Sequence, residues 1–509
     1  MSFVLNILTS SLAHSVELSS YRPISLLPNL SKVFESILKD KINNHISSNK
    51  LIPDEQYGFR RHLSTTHAIS AVTTNVYSHL LRNKFVGAVL IDLEKAFDSV
   101  WLEGLLFKLC QKKFPEYLIL IIWDMVEGKN FYIKGTDPNI RFYLDHGVQQ
   151  GSVTGPTLFN VYFSDLLHLF GLNSNENLTA DMFADDLIVK YADNTPTKVQ
   201  DKLNIVTNDI NKYCATWHLK MKFEKCETIL FRPPIGNINS KNRKGWKEFM
   251  VTVLNNNTRT PIPHRNVVKY LGVYLDSLMR MHVHTKNQIT KAKNAVKANS
   301  NLFNSPYLNS RAKLICYMLL IRPLLTYASP IWFNMSAGTA EKLRVLERSC
   351  IRPCLGLYRT PESKYQKYYS NTIIYNKAAI PRIDNFIIKI TREYYRKAFI
   401  INHNIIKKQL AIIPRDAIEQ CNKGYVSPAT FMYLDKMGII QNKDNTPELY
   451  NISRNSRDKK IFHANLNNLC GRRSKYIYSK SIPEIDKKYY YQDSDIYWWL
   501  MPEDSEVRQ

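Results

Sequence analysis

Glycine is scarce in this chain, at 17 of 509 residues, and proline adds only 22. Beside 44% hydrophobic residues, that shortage excludes a collagenous, disordered or low-complexity chain and leaves ample material for a buried core. Cysteine is also sparse. The eight cysteines form no C-x-x-C, and Cys350 and Cys354 have no further His or Cys at zinc-site spacing. A disulfide framework is therefore excluded, and reduced thiols in a cytoplasmic or nuclear, non-secreted protein are expected. Residues 1–16 lack the positive n-region of a signal peptide. Long apolar runs are missing as well. The longest, Leu314–Phe333, contains Arg322, Pro323 and Pro330. A mid-span arginine costs about 2.5–3.5 kcal/mol on insertion scales, so this run reads as buried core and no membrane partner is expected.

Acidic residues are the last shortage, with 44 Asp and Glu against 69 Lys and Arg, a net charge of +25. The imbalance is local. Residues 1–276 carry 31 basic and 26 acidic side chains, whereas residues 277–420 carry 24 and 7. Such a surplus points to a polyanionic partner, and with no membrane anchor that partner is nucleic acid.

Periodicity predicts an α+β chain. Residues 30–50 repeat apolar side chains at Val33, Phe34, Ile37, Leu38 and Ile42, a helical spacing. Residues 86–91 (VGAVLI) read as a buried strand ending at Asp92, followed by a helical stretch from Ala96 to Cys110. Residues 140–150 suggest strand then turn, and GPTLFNVYFSDLLHLF one long helix. Asp185 and Asp186 lie at the tip of an expected hairpin, and residues 197–218 form an amphipathic helix. Segments 226–231 and 269–275 read as strands with a polar loop over 233–247 between, and the pattern after 277 is mostly helical.

Three acids carry the chemical signal. Asp92 closes an apolar strand, and Asp185 and Asp186 stand side by side in FADDLIV. A carboxylate at the end of a buried strand needs a partner, and adjacent carboxylates repel unless a cation sits between them. Phosphoryl chemistry with two metal ions about 3.5–4 Å apart needs this set of oxygen ligands. An acid pair alone could equally be a surface turn.

The surrounding residues resolve that choice. The chain resembles the reverse transcriptases of non-LTR retrotransposons (LINE elements), most closely the jockey-like group. YRPISLL (21–27) and QYGFR (56–60), with Ser64, Thr65 and Thr66, resemble the two finger motifs. LIDLEKAFDSVWLEGLLFKL (90–109), GVQQGSVTGPTLF (147–159) and FADD (183–186) resemble palm motifs A, B and C. WHLKMKFEKCETILF (217–231) and KYLGVYLD (269–276) resemble motifs D and E, and IRPLLTYASPIW (321–332) the thumb segment.

The resemblance implies an α+β right-hand polymerase, with fingers and a palm built on an antiparallel sheet. Residues 1–20 are unmatched, 21–276 form fingers and palm, 277–360 a basic helical thumb, and 361–509 a mainly helical C-terminal region. Asp92, Asp185, Asp186 and the Leu93 carbonyl would bind two Mg²⁺ ions, with Mn²⁺ as an alternative. Phe97 would block a ribose 2′-hydroxyl, although its position also suits a core aromatic. Gln150 and Gly151 would lie by the sugar and primer end. Arg22 and Arg60 would grip the triphosphate of a dNTP, or make structural ion pairs instead. Lys225 would protonate the leaving pyrophosphate, or simply sit in solvent. Tyr270, Leu271 and Gly272 would form a primer grip through backbone and aromatic faces. Lys286, Lys291, Lys293, Lys297, Arg311 and Lys313 would track the phosphates of an RNA template paired to a DNA primer.

The sequence departs from the family pattern at Gln149 (usually Pro), Thr154 (Leu), Leu63 (His) and Leu102 (His). The basic strand-forming motif before YRPISLL, an endonuclease, an RNase H constellation and zinc knuckles are not found. A 5′-truncated element is therefore expected, either an active polymerase or an inactive nucleic-acid-binding remnant. Viral RNA-dependent polymerases usually have Gly where Ala184 stands.

Overall fold

The computed structural model describes residues 2–8 and 21–407, apart from breaks at 134–136, 138, 169–175, 234–237, 239, 256–257, 334–336, 365, 402 and 405. The chain divides into two compact units. One holds residues 1–68, 85–230 and 235–266, the other residues 69–84, 231–234 and 267–509.

The strands of the first unit are β1 (Ser2–Leu8), β2 (Tyr21–Leu26), β3 (Phe85–Ile91), β4 (Lys129–Ile133), β5 (Phe142–Leu144), β6 (Leu178–Phe183), β7 (Asp186–Asp193), β8 (Glu227–Phe231), β9 (Thr252–Asn255) and β10 (Thr258–Pro261). Its helices are α1 (Asn29–Ser48), the start of α2 (Thr65–Leu81), α3 (Leu102–Gln111), α4 (Glu116–Val126), α5 (Gly155–Phe163), α6 (Pro196–Thr216) and α7 (Ser240–Lys247). The central sheet has the order β6-β7-β3-β8, with β7 antiparallel to both β6 and β3. A second sheet runs β2-β1-β4-β5, and β9 and β10 form a hairpin.

β3 is buried almost throughout, as a central strand covered on both faces must be. Its odd-numbered residues Phe85, Val89 and Ile91 join Val199, Leu203 and Val206 of α6 in the main core. By strand alternation, Asp92 points to the opposite face.

Several local expectations change. Of the apolar residues on α1, Leu38 and Ile42 are buried, whereas Val33, Phe34 and Ile37 face solvent. The buried stripe is Glu35, Leu38, Ile42 and Ile46, so a carboxylate lies among the apolar positions. The helix expected over 155–170 divides into α5 and a 3₁₀ turn, Ser164–His168. The stretch 96–101 turns before α3 begins. The polar loop 233–247 contains α7. α4 (EYLILIIWDMV) was hidden by being apolar on nearly every side.

The second unit contains the body of α2 from Ile69, the hairpin β11 (Val267–Tyr270) and β12 (Val273–Asp276), and the helices α8 (His282–Ala298), α9 (Ser300–Asn304), α10 (Ser310–Cys316), α11 (Arg322–Thr326), α12 (Ser329–Trp332), α13 (Ala337–Leu355), α14 (Asn371–Ala378) and α15 (Ile383–Ile400). The segment 269–275 is thus a hairpin rather than one strand, turning at Leu271 and Gly272, both at positive φ. Packing in this unit continues past residue 360 around the fully buried Glu347. Its carboxylate accepts hydrogen bonds from the Tyr317 hydroxyl (2.9 Å), the Tyr375 hydroxyl (2.7 Å) and the Ile383 amide (2.7 Å), and pairs with Arg322 at 3.4 Å. Arg344 pairs with the buried Asp384 at 3.0 Å. Most of the expected C-terminal region, 408–509, lies outside the described residues. Among the described residues, no helix is long and apolar enough to cross a membrane.

Candidate active site at the end of the central sheet

The register of the central sheet gathers the three acids. Ile91 of β3 pairs with Leu187 of β7, so one step further sets Asp92 opposite Asp186. Residues opposite each other in an antiparallel pair lie about 4.5–5.5 Å apart and share a face. Asp185 occupies the tight turn between β6 and β7, where Phe183 pairs with Asp186. Asp186 is exposed, and Asp92 and Asp185 are half-buried. The same face carries a buried ion pair, Asp181 with Lys190, that the sequence reading missed.

The backbone beyond β3 adds an oxygen. The Lys222 amide donates to Asp92 O (2.9 Å) and the Glu94 amide to Lys220 O (2.8 Å), closing the antiparallel bridge between Leu93 and Met221. A residue flanked in this way points its own N–H and C=O away from the bridged segment. The Leu93 carbonyl is therefore directed to the β7 side of β3, the side that holds the acid pair.

Carboxylates and a backbone carbonyl are hard oxygen donors, the set that suits Mg²⁺ or Mn²⁺. Among the described residues, no three His, Cys, Asp or Glu side chains are drawn into a cluster that could hold a metal ion. Strand register sets Asp92, Asp185 and Asp186 at the same end of the central sheet.

The loop 53–60 supports this turn. The Tyr57 amide donates to Met182 O (2.8 Å) and the Met182 amide to Glu55 O (2.9 Å). The fully buried Gln56 side chain reaches Ala184 itself. Arg60 is bound to its own loop, donating to Pro53 O (2.8 Å) and Gln56 O (3.2 Å) and lying 3.7 Å from Asp54. In this arrangement its guanidinium braces the loop rather than reaching into the site. The backbone of Arg22 lies in β2, and its side chain lies outside the described residues.

Motif B packs beside motif A. The half-buried Phe97 ring stacks on Phe159 (4.4 Å, 21°) and meets Phe59 edge-on (6.2 Å, 87°). Gln150 Nε2 donates to Asp98 Oδ1 at 2.9 Å, and the Ser25 amide donates to Gln150 O at 2.8 Å. Gly151 has φ of +105°, and a Cβ there would sit 2.6 Å from Ser25 O. Close backbone approach is the reason for this glycine, and the approaching strand is β2. Glu35 of α1 accepts hydrogen bonds from the amides of Val153 (2.6 Å) and Thr154 (3.1 Å), just before α5 starts. Its signal in the sequence was an acid in register with Leu38 and Ile42.

Lys225 is exposed on the turn after Asp92's partner segment, and its amide donates to Lys222 O at 2.9 Å. Cys226 lies behind Asp92, with its sulfur accepting from the Asp92 amide at 3.4 Å. Burial pushes this thiol up to about 11, so it adds no charge there at neutral pH. Lys108, also missed, is fully buried. It bonds Asp165 (2.9 Å) and the Tyr213 hydroxyl (2.8 Å) under the Trp217 ring (3.7 Å), and burial lowers its pKa to about 8.

A profile described as "Reverse transcriptase (RNA-dependent DNA polymerase)" matches residues 13–275. The chain belongs to the reverse transcriptase family. Its relatives include polymerases of mobile elements, among them jockey and transposon BS. The chain is 26% identical over 341 residues to the "Probable RNA-directed DNA polymerase from transposon BS" of Drosophila melanogaster, covering 65% of this chain and 36% of that protein. It is 26% identical over 388 residues to the "RNA-directed DNA polymerase from mobile element jockey" of Drosophila funebris, covering 75% and 40%. The chain thus spans about 40% of the length of these relatives. A solved telomerase from Candida tropicalis is similar at 12% identity, covering 81% of this chain and 64% of that one with a TM-score of 0.38. The match begins at residue 13, within the stretch expected to be unmatched, and β1 pairs antiparallel with β2.

The remaining reverse transcriptase motifs lie in the second unit. The Tyr270 ring is buried, so the motif E turn offers the half-buried Leu271 and Gly272 but not the aromatic face expected there. The Tyr327 hydroxyl donates to Leu271 O at 2.6 Å, a brace the sequence reading missed. Lys286, Lys293 and Lys297 are exposed on one stripe of α8, since spacings of seven and eleven residues return to the same face. The exposed Lys291 lies off that stripe, beside the buried His284 face. Arg311 is exposed and Lys313 half-buried on α10.

Proposed function

We propose that this chain is an RNA-directed DNA polymerase of a LINE-type element with a right-hand arrangement of fingers, palm and thumb. It extends a DNA primer along an RNA template. What supports the reading is the β3–β7 register, which ends at the Ile91–Leu187 pair and leaves Asp92 and Asp186 as the next residues along the two strands, beside the Asp185 turn, in a chain of the reverse transcriptase family.

The primer 3′-hydroxyl attacks the α-phosphate of a dNTP, a P–O bond forms, and pyrophosphate departs. Asp92, Asp185, Asp186 and the Leu93 carbonyl would hold two divalent ions, Mg²⁺ or alternatively Mn²⁺. When bound, such ions lower the pKa of the attacking hydroxyl and neutralise charge on the leaving oxygens. Phe97 lies under the incoming sugar and rejects a 2′-hydroxyl. Gln150 and Gly151 border the sugar and the primer end. Lys225, on its exposed turn, delivers a proton to pyrophosphate. Arg22 and Arg60 contact the triphosphate once the loop carrying Arg60 releases its internal bonds. The Leu271–Gly272 turn holds the primer backbone. The lysine stripe of α8, with Lys291, Arg311 and Lys313, holds the duplex phosphates.

Primer extension on poly(rA)–oligo(dT) tests this. Incorporation of dTTP that depends on Mg²⁺ and vanishes in Asp185→Asn is the expected result. A second reading is a nucleic-acid-binding remnant, favoured by the closed internal bonding of Arg60. Salt-sensitive duplex binding with no incorporation by the wild type would select that reading.

A further inference from the structure

We propose that Gln56 is a positioning residue that sets the acid pair for its metal ions. This rests on the metal-binding part of the reading above, the three acids as metal ligands, and goes beyond it by assigning a residue that supports them.

One buried amide grips both sides of one residue. Gln56 Oε1 accepts from the Ala184 amide at 2.9 Å, and Gln56 Nε2 donates to Ala184 O at 3.3 Å. The same Oε1 accepts from the Gly58 amide at 2.8 Å, which ties the side chain to its own loop. Ala184 is the residue before Asp185 and has φ of +58°. That conformation is strained for a non-glycine residue and needs outside support to persist. Gly would adopt it freely, yet this chain has Ala. The bonds from Gln56 supply the support.

The loop is itself fixed. A Cβ on Gly58 would fall 2.3 Å from the Ala184 nitrogen, so the loop can lie against the turn only as glycine. Asn160 of α5 donates to Gly58 O at 2.8 Å, and the Gln56–Met182 bridge runs alongside. Fingers, motif B helix and acid turn therefore share one hydrogen-bonded junction. Residues that orient ligands from behind typically govern metal affinity or activity by about 10–100-fold when replaced.

The test compares wild type, Asp185→Asn and Gln56→Met, which keeps length and loses all three bonds. Mn²⁺ binding is followed by electron paramagnetic resonance, and primer extension is run across a Mg²⁺ series. Gln56→Met is expected to weaken Mn²⁺ binding about 10-fold and raise half-saturating Mg²⁺ alike. Its duplex affinity and its KM for dTTP at saturating Mg²⁺ stay within threefold of wild type. Unchanged Mn²⁺ affinity in folded Gln56→Met, or a wild type that binds no Mn²⁺, overturns the proposal. If the wild type extends no primer while Gln56→Met still loses Mn²⁺ affinity, the polymerase reading fails and this one stands. Should Gln56→Met not fold, Gln56→Glu takes its place. It keeps both accepted bonds, so Mn²⁺ affinity within threefold of wild type is expected, and a 10-fold loss counts against the proposal.

Discussion

The carboxylate of Glu35 accepts the Val153 amide at 2.6 Å across 118 residues of sequence, and so holds the entry to α5, the helix within motif B, from a different helix. Helix N-termini leave amides without intrahelical partners, and an anion there is favoured both by hydrogen bonding and by the helix dipole. Glu35→Ala removes a buried acceptor shared by two amides and the Thr154 hydroxyl. A loss of about 1–3 kcal/mol in urea unfolding is expected. Glu35→Gln should lose less, since it retains an acceptor.

The brace under the motif E turn gives a milder outcome. Tyr327→Phe removes one hydrogen bond, to Leu271 O. Its expected cost in stability is about 0.5–1.5 kcal/mol. Primer–template affinity, measured by gel shift or fluorescence anisotropy, should fall while KM for dNTP holds. A shift in dNTP KM with primer affinity intact would argue against a grip at this turn.

Phe97→Ala should admit ribonucleotides. The ring stacks on Phe159, so the variant also loses packing, and melting must be measured beside activity. Discrimination between dTTP and rUTP, as a ratio of kcat/KM, is expected to fall by at least ~10-fold, or about 1.4 kcal/mol. An unchanged ratio would return Phe97 to the role of a core aromatic.

The lysine stripe predicts a salt effect. Removing a single lysine–phosphate pairing should lower the slope of log K against log salt by about 0.7–0.9. Lys286→Ala, Lys293→Ala and Lys297→Ala should each do so on an RNA–DNA duplex. Lys291→Ala, Arg311→Ala and Lys313→Ala should lower the slope as well.

His284 makes stability depend on pH. Burial lowers its pKa from 6.5 to about 4, with Lys291 adding to the shift. Between those values the unfolded chain binds the proton and the folded one does not, so stability rises with pH across that window. The stability present above pH 6.5 is lost as pH falls towards 4, by at most about 3 kcal/mol from this residue. In His284→Phe, urea midpoints should flatten over that range.

The parts of this molecule legible in its sequence were those with local signatures. VGAVLI announced β3 because a covered strand is apolar without alternation. The FADD hairpin and α6 were readable from short-range pattern. The roles of neighbours across the fold were not. Nothing near Gln56 in sequence says that its amide lies on Ala184, because the two are 128 residues apart. Arg60 suited either a triphosphate grip or a structural ion pair, and only the folded loop shows its donors spent on Pro53 and Gln56 carbonyls. Tyr270 kept its helpful chemistry but lost its access, since burial is a tertiary property.

Glu347 also bears on where the chain can be cut. A fragment ending at residue 360, where the motifs stop, would remove Tyr375 and Ile383 and leave a carboxylate in an apolar interior with half its partners gone. Breaking a buried charged network in this way costs about 3–5 kcal/mol, a large share of a domain's whole stability. A soluble fragment for biochemistry therefore has to run through α15, to Ile400 at least.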